Sequence, residues 1–194
     1  MSVPALLLAS TSPQRRAILT QLGIPFEAVA PDYVEHDPPG ASPAELVREH
    51  ALGKARSLAA QAAGRPVLGV DTTVVLVGRS FGKADDAVGA ADMLRAFSGR
   101  THEVVSGLCL RTGEWEVVED ETTAVTFRAL TERDIAAYVA SGEWEGRAGA
   151  YAIQGLGARL VERIEGDYLN VVGLPAALLV RLLAARFPGL YGIG

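Results

Sequence analysis

Runs with the character of buried strands alternate along this chain with segments that carry helix-start signals, and no other feature restricts the fold as much. Ala5-Leu6-Leu7-Leu8-Ala9 is a continuous apolar run bounded by turn residues, the pattern of a buried strand. Ser12 follows as an N-cap with Pro13 at the first helical position, and Gly23 ends that helix. A second strand covers Phe26 to Ala30, and an acidic, proline-containing loop runs from Pro31 to Gly40. Ser42-Pro43-Ala44-Glu45 is a capping box with proline at N1, opening a helix expected to reach about Gln61. Val67 to Val77 reads as a strand with Asp71 and Thr72 in its middle, and Gly78-Arg79-Ser80 as a turn into a short return strand ending near Lys83.

The second half continues the pattern. A helix is expected over Asp86 to Phe97, then a long strand pair, His102 to Leu110 and Trp115 to Phe127, turning at Thr112-Gly113. Thr131 caps a helix to Ala140, Ala158 to Ile164 alternates as a strand, and Pro175 to Phe187 forms a closing helix. Strand–helix alternation with antiparallel pairs in the middle implies an α/β fold with a mixed sheet and flanking helices. No internal repeat or low-complexity linker interrupts the sequence, so residues 1–194 are expected to form a single domain.

Composition narrows the function classes. The net charge of −5 is unlike that of a nucleic-acid coat, because binding a polynucleotide draws most of its affinity from clustered cations. No nucleic acid polymer is therefore expected as a partner. A phosphate site remains open, since it needs only a few local cations and backbone N–H groups. The single cysteine, Cys109, has no internal disulfide partner and lies in the apolar run Gly107 to Leu110, so it reads as a buried structural thiol. A reducing, cytoplasmic location fits. The start, Met1 to Ala9, is short and lacks a basic segment, and reads as a first strand rather than a signal peptide. Nothing approaches the ~18 consecutive apolar residues of a membrane span, so no membrane partner is expected.

Several motifs fail on inspection. Gly78-Arg79-Ser80-Phe81-Gly82-Lys83 has one residue too few between its glycines for a P-loop, and Ala84 stands where Ser or Thr would bind the metal. Gly155-Leu156-Gly157 lacks the third glycine of a dinucleotide fingerprint. His36, His50 and His102 have no metal-ligand spacing, and no Gly-x-Ser-x-Gly elbow is present.

Other residues carry chemistry. Leu8-Ala9-Ser10-Thr11-Ser12-Pro13-Gln14-Arg15-Arg16 places hydroxyls and guanidiniums where a strand passes into a helix, a junction of exposed N–H groups and positive helix dipole that suits an anion. Taken alone, the same segment is also an ordinary N-cap with a solvated basic turn. Asp71 sits inside an apolar strand, where an acid is expensive unless a cation compensates it. A structural salt bridge or a bound Mg2+ would each do so. Glu35 lies in the loop before the capped helix, Lys54 on that helix, and Lys83 after the hairpin; singly, each lysine reads as a surface residue.

Together these segments resemble the Maf nucleotide pyrophosphatases. That family opens with leucine-alanine-serine-x-serine-proline followed closely by arginines, as at Leu8 to Arg16. An acidic loop and a helix ending in lysine-alanine come next, here Glu35 and Lys54-Ala55, then Gly69-Val70-Asp71-Thr72 and Gly82-Lys83. Ser98 to His102, Ala148 to Gly155 and Glu165 to Pro175 continue the likeness in order and spacing over nearly the whole chain.

The resemblance implies an inosine-triphosphatase-like mixed α/β fold, with two lobes around a cleft. It also implies hydrolysis of nucleoside triphosphates, dTTP, UTP or related pyrimidine nucleotides, to the monophosphate and pyrophosphate. A divalent cation, Mg2+ or Mn2+, is the implied cofactor, with Glu35 and Asp71 facing it, and the family often forms homodimers. By position Asp71 matches the proton acceptor. Glu35, Lys54 and Lys83 match other catalytic positions, and Ser10 and Arg15 substrate-binding ones. Gln14, Thr72 and Gln154 bear on base choice, and the last two match the dTTP/UTP branch rather than the 7-methyl-GTP branch. The chain departs from that branch at Gln14, where arginine is frequent, at Gly146-Arg147, where aspartate-lysine is frequent, and at Val34, where aspartate is frequent. Two other readings share these residues: a hydrolase of modified nucleotides, and a nucleotide-binding regulator of cell division with little turnover.

Overall fold

Four buried side chains, Leu6–Ala9, form β1 at the centre of the parallel part of the sheet. The structure is a computed structural model that describes residues 4–193; Met1 to Val3, the beginning of the apolar start, and Gly194 lie outside the described residues. Helix α1, Pro13–Gln21, starts where Ser12 accepts from the Arg15 N–H, and returns the chain to β2, Phe26–Val29. Helix α2, Pro43–Ser57, carries the full Ser42–Glu45 capping box. It is followed by β3, Val67–Leu76, β4, Arg79–Phe81, and α3, Ala87–Phe97. The long pair is β5, Thr101–Arg111, and β6, Glu116–Phe127. Helix α4, Glu132–Ala140, β7, Val161–Glu165, α5, Tyr168–Val172, and α6, Ala176–Arg186, complete the described chain.

The described strands make one mixed sheet in the order β2-β1-β3-β5-β6-β7, with β4 on β3. β1 lies parallel to β2 and β3, and the remaining pairs are antiparallel. This is the α/β mixed sheet expected from the alternation of elements.

Period-two alternation along β3 explains how the helices distribute. On one face, Leu68 and Val70 pack with Ile18 and Leu19 of α1 and the leucines of α6. Farther along the same face, Val74 and Leu76 join Leu94 and Phe97 of α3 and Ile135 of α4. Between these two apolar clusters stands Thr72, hydrogen-bonded at 2.8 Å to Ser106, its register partner on β5. The polar pair divides the face into two lobes. On the opposite face α2 lies close against the strands. A Cβ on Gly69 would collide with the Ala51 carbonyl, and one on Gly107 with the Val47 carbonyl.

Two buried groups outside the lobes' boundary are core members. Cys109 is fully buried, and burial pushes its thiol up to about 12, which makes it inert. His102 is packed among Phe97, Phe127 and Tyr151, its Nε2 2.9 Å from the Tyr151 hydroxyl, and burial lowers its pKa to about 4.

Some elements differ from the sequence expectation. The hairpin turns at Val77-Gly78, both in the left-handed region, so Arg79 and Ser80 already belong to β4. α2 ends at Ser57, and Ala59–Gln61 tighten into a 3-10 turn. Leu156–Leu160 is also 3-10, so the strand begins at Val161 rather than Ala158. The Glu143 carboxylate accepts both the Leu156 and Gly157 N–H groups there, holding the segment in a turn. α5, Tyr168–Val172, is five residues long, too short to show a helical period, and is capped by Asp167.

Candidate active site

A gap in the sheet edge creates the site. β1 ends with Ala9 opposite Gly69, and β4 joins the same edge of β3 only where Phe81 meets Val74. Between them, Val70 to Thr73 have no partner strand on that edge among the described residues, while their other edge is paired with β5. Both faces of the sheet are reached through this gap, so Asp71 and Thr72, which point oppositely, line one cavity of about 820 Å3. All nine residues named from sequence border it: Ser10, Gln14, Arg15, Glu35, Lys54, Asp71, Thr72, Lys83 and Gln154.

On the α1 side, Arg15 is held by three acceptors. Its Nε donates to the Gly173 carbonyl at 2.9 Å, Nη1 to Ser10 Oγ at 3.2 Å and Nη2 to Thr72 Oγ1 at 3.3 Å. None of these acceptors is charged. The guanidinium therefore keeps its field for the cavity, with burial lowering its pKa and the fields of Asp71 and Glu35 acting against that. Ser10 is buried immediately after β1, where its Oγ also accepts the Ser12 N–H.

On the α2 side, the Lys54 ammonium lies 2.5 Å from Asp71 Oδ1 and 2.6 Å from Glu35 Oε1. The lysine and Asp71 are shielded, at 12% and 16% side-chain exposure, whereas Glu35 is half exposed. The close packing of α2 at Gly69, two residues before Asp71, brings this ammonium onto the strand. The acid inside the apolar strand is thus compensated by a lysine, one of the two solutions that burial demands.

Glu35 arrives on a loop tied to the same helix. His50, 4% exposed, places Nε2 2.8 Å from Asp37 Oδ1 and Nδ1 3.1 Å from the Tyr33 hydroxyl. The Tyr33 ring lies where a side chain on Gly53 would stand. Burial raises the Tyr33 pKa, and Glu49, Glu35, Asp71 and Asp37 add to it, so the phenol stays protonated. Tyr33, Asp37 and His50 border the cavity but were not among the residues expected from sequence. Only their distant pairing marks them.

The remaining wall carries Lys83, which is exposed and pairs as an isolated antiparallel bridge with Ala148, bringing Arg147 beside it. Gln14, whose Oε1 accepts from Ser12 Oγ at 2.9 Å, and the exposed Gln154 border a second, apolar groove as well. This groove of about 320 Å3 includes Ala17, Ile18, Tyr168 and Leu169.

Among the described residues no three His, Cys, Asp or Glu side chains converge as a metal cage. Two carboxylates facing a cavity that also presents cations suit a magnesium-type ion, which takes one or two carboxylates and completes its shell with water and phosphate oxygens. They do not suit a structural zinc site.

Known proteins are similar to this chain over most of its length. A family model described as "Maf-like protein" matches residues 5–186. A dTTP/UTP pyrophosphatase of Symbiobacterium thermophilum is 47% identical over 178 residues, 92% of each chain. One from Deinococcus radiodurans is 43% identical over 192 residues, 99% of this chain and 98% of its own. Among solved structures, the Staphylococcus aureus Ham1 protein aligns with a TM-score of 0.44 at 15% identity, covering 63% of this chain and 71% of that one.

Proposed function

The chain belongs to the Maf family, and from that premise we propose that its cavity binds a pyrimidine nucleoside triphosphate and hydrolyses it to the monophosphate and pyrophosphate. The observation that supports this most directly is the meeting of Asp71, Glu35, Lys54 and Arg15 at the gap in the sheet edge. A triphosphate is the ligand that uses both halves of this arrangement: cations for its oxygens and carboxylates for a proton and a hard cation.

In the proposed reaction a water oxygen bonds to the α phosphorus while the bond from that phosphorus to the α–β bridging oxygen breaks. Asp71 accepts the water's proton, a role open to a shielded carboxylate within hydrogen-bond reach. Arg15, whose planar fork is already oriented by Ser10, Thr72 and Gly173, binds phosphate oxygens. Lys83, with Arg147 beside it, offsets the negative charge that grows on the departing pyrophosphate. Lys54 holds Asp71 and Glu35 in place. Glu35 and Asp71 are the residues that would hold a divalent cation, which when bound withdraws charge from phosphate oxygens and makes the attacking water more acidic. The base enters the apolar groove between Gln14 and Gln154, against the half-exposed Tyr168, and the two amides read its edge.

The test is a product assay over a nucleotide panel with Mg2+ or Mn2+. Pyrophosphate and monophosphate are expected, and chelation should stop the reaction. Orthophosphate with a diphosphate product would refute the assigned bond.

A further inference from the structure

The segment that carries Glu35 has no backbone scaffold of its own. Residues 31–37 belong to no helix or strand, and among the described residues no backbone-to-backbone hydrogen bond outside those elements involves them. A carboxylate on such a segment would sample many positions, yet Glu35 Oε1 sits 2.6 Å from the Lys54 ammonium. Its order must come from side chains, because loop residues without backbone partners otherwise keep their conformational entropy.

Those side chains are Tyr33 and Asp37, two residues to either side of Glu35, and both end on one imidazole. Asp37 Oδ1 lies 2.8 Å from His50 Nε2, and the Tyr33 hydroxyl 3.1 Å from His50 Nδ1. One imidazole can meet both partners at once, because its two ring nitrogens point to opposite sides of the ring. His50 and Lys54 are four residues apart on α2 and so share a face of the helix. The loop therefore docks at Tyr33, Glu35 and Asp37 along a single helical turn. Gly53 completes the seat, since any side chain there would occupy the space of the Tyr33 ring.

We propose that Tyr33, His50 and Asp37 form a clamp that fixes the Glu35 segment against α2, making His50 a positioning residue for the hydrolytic reaction. The proposal rests on the role assigned above to Glu35. His50 acts by removing freedom from Glu35, which is the condition for a carboxylate to serve in a transition state.

The experiment compares His50→Leu and the milder Tyr33→Phe in the wild-type and Glu35→Gln backgrounds, with Tm and backbone 15N relaxation order parameters measured on the nucleotide-free protein. In the wild-type background His50→Leu should lower kcat about tenfold and Tyr33→Phe about threefold, as expected for misplacing a group without removing it. In the Glu35→Gln background the same changes should alter kcat by less than about twofold, because the residue they position is already gone. Order parameters at residues 32–37 should fall in His50→Leu while those of β3 stay as they were. Equal fold-losses in both backgrounds, or unchanged order parameters of the loop, would overturn the clamp while leaving Glu35's role intact. Full activity of Glu35→Gln would instead remove Glu35 from the reaction, and the clamp's function with it.

Discussion

Asp71 shares the Lys54 ammonium with Glu35, while its neighbour Thr72 holds Arg15 from the other face of the same strand. Asp71→Asn keeps an oxygen acceptor for Lys54 and removes the proton-accepting charge. Its kcat should fall about 10²-fold or more, the scale for losing a general base, with Tm little changed; retention of most activity would place the proton acceptor elsewhere. His102 gives the second residue-scale test. Its folded pKa of about 4 lies below the ordinary 6.5, so between these values the unfolded chain binds the proton and the folded chain does not. The stability contributed by neutral His102 is complete above pH 6.5 and is lost as pH falls toward 4, a loss of about 2–3 kcal/mol by pH 4.5. Urea denaturation at pH 7.5 and 4.5 should show a steeper loss in wild type than in His102→Phe. Matching slopes would assign the acid sensitivity to other groups. Neither residue's partner was legible in the sequence, since Lys54 and Tyr151 meet them only through tertiary packing.

Helix starts were legible because they are local. Ser12, Ser42 and Thr131 each accept an N–H three residues ahead, and nothing outside that turn is needed. The 3-10 turn at Leu156–Leu160 was not legible, because the Glu143 carboxylate that forms it is held by Tyr138 from another element. The β3–β4 hairpin lies between these cases. Its two-residue turn demands positive φ at both positions, and Val77 sits at φ 50 ahead of Gly78 at φ 74. A β-branched residue is strained there, and Val77 is 84% exposed with no packing to lose. Val77→Asn should therefore raise unfolding free energy by about 1 kcal/mol and leave kcat unchanged. A decrease in Tm would show that the turn adopts another conformation in solution.

Across the whole molecule, the cavity and the apolar groove meet at Gln14 and Gln154, so the base reading proposed for these two side chains would draw on both lobes rather than on one element. Thr72 already bonds Arg15 and Ser106, so the proposed reading of the base is assigned to the two glutamines. kcat/KM for dTTP and UTP should exceed that for ATP, GTP and 7-methyl-GTP. Gln154→Ala should shrink the ratio more than it lowers turnover of the best substrate, since an unpaired buried polar group is what rejects a wrong base. Unchanged ratios in the mutant would remove Gln154 from base selection. The sequence by itself determined the order of the elements other than α5, the mixed sheet, the capped helices and the residue types around the cavity, because caps, turns and hydrophobic period act over a few neighbouring residues. Only the tertiary structure decided that β1 stops and β4 starts on one edge of β3 so as to leave Val70 to Thr73 unpaired. It also decided that Lys54 lies between two carboxylates and that Tyr33 and Asp37 close on His50. These depend on strand register and on the approach of α2 at Gly69 and Gly107, contacts between residues far apart in the chain that no local window contains.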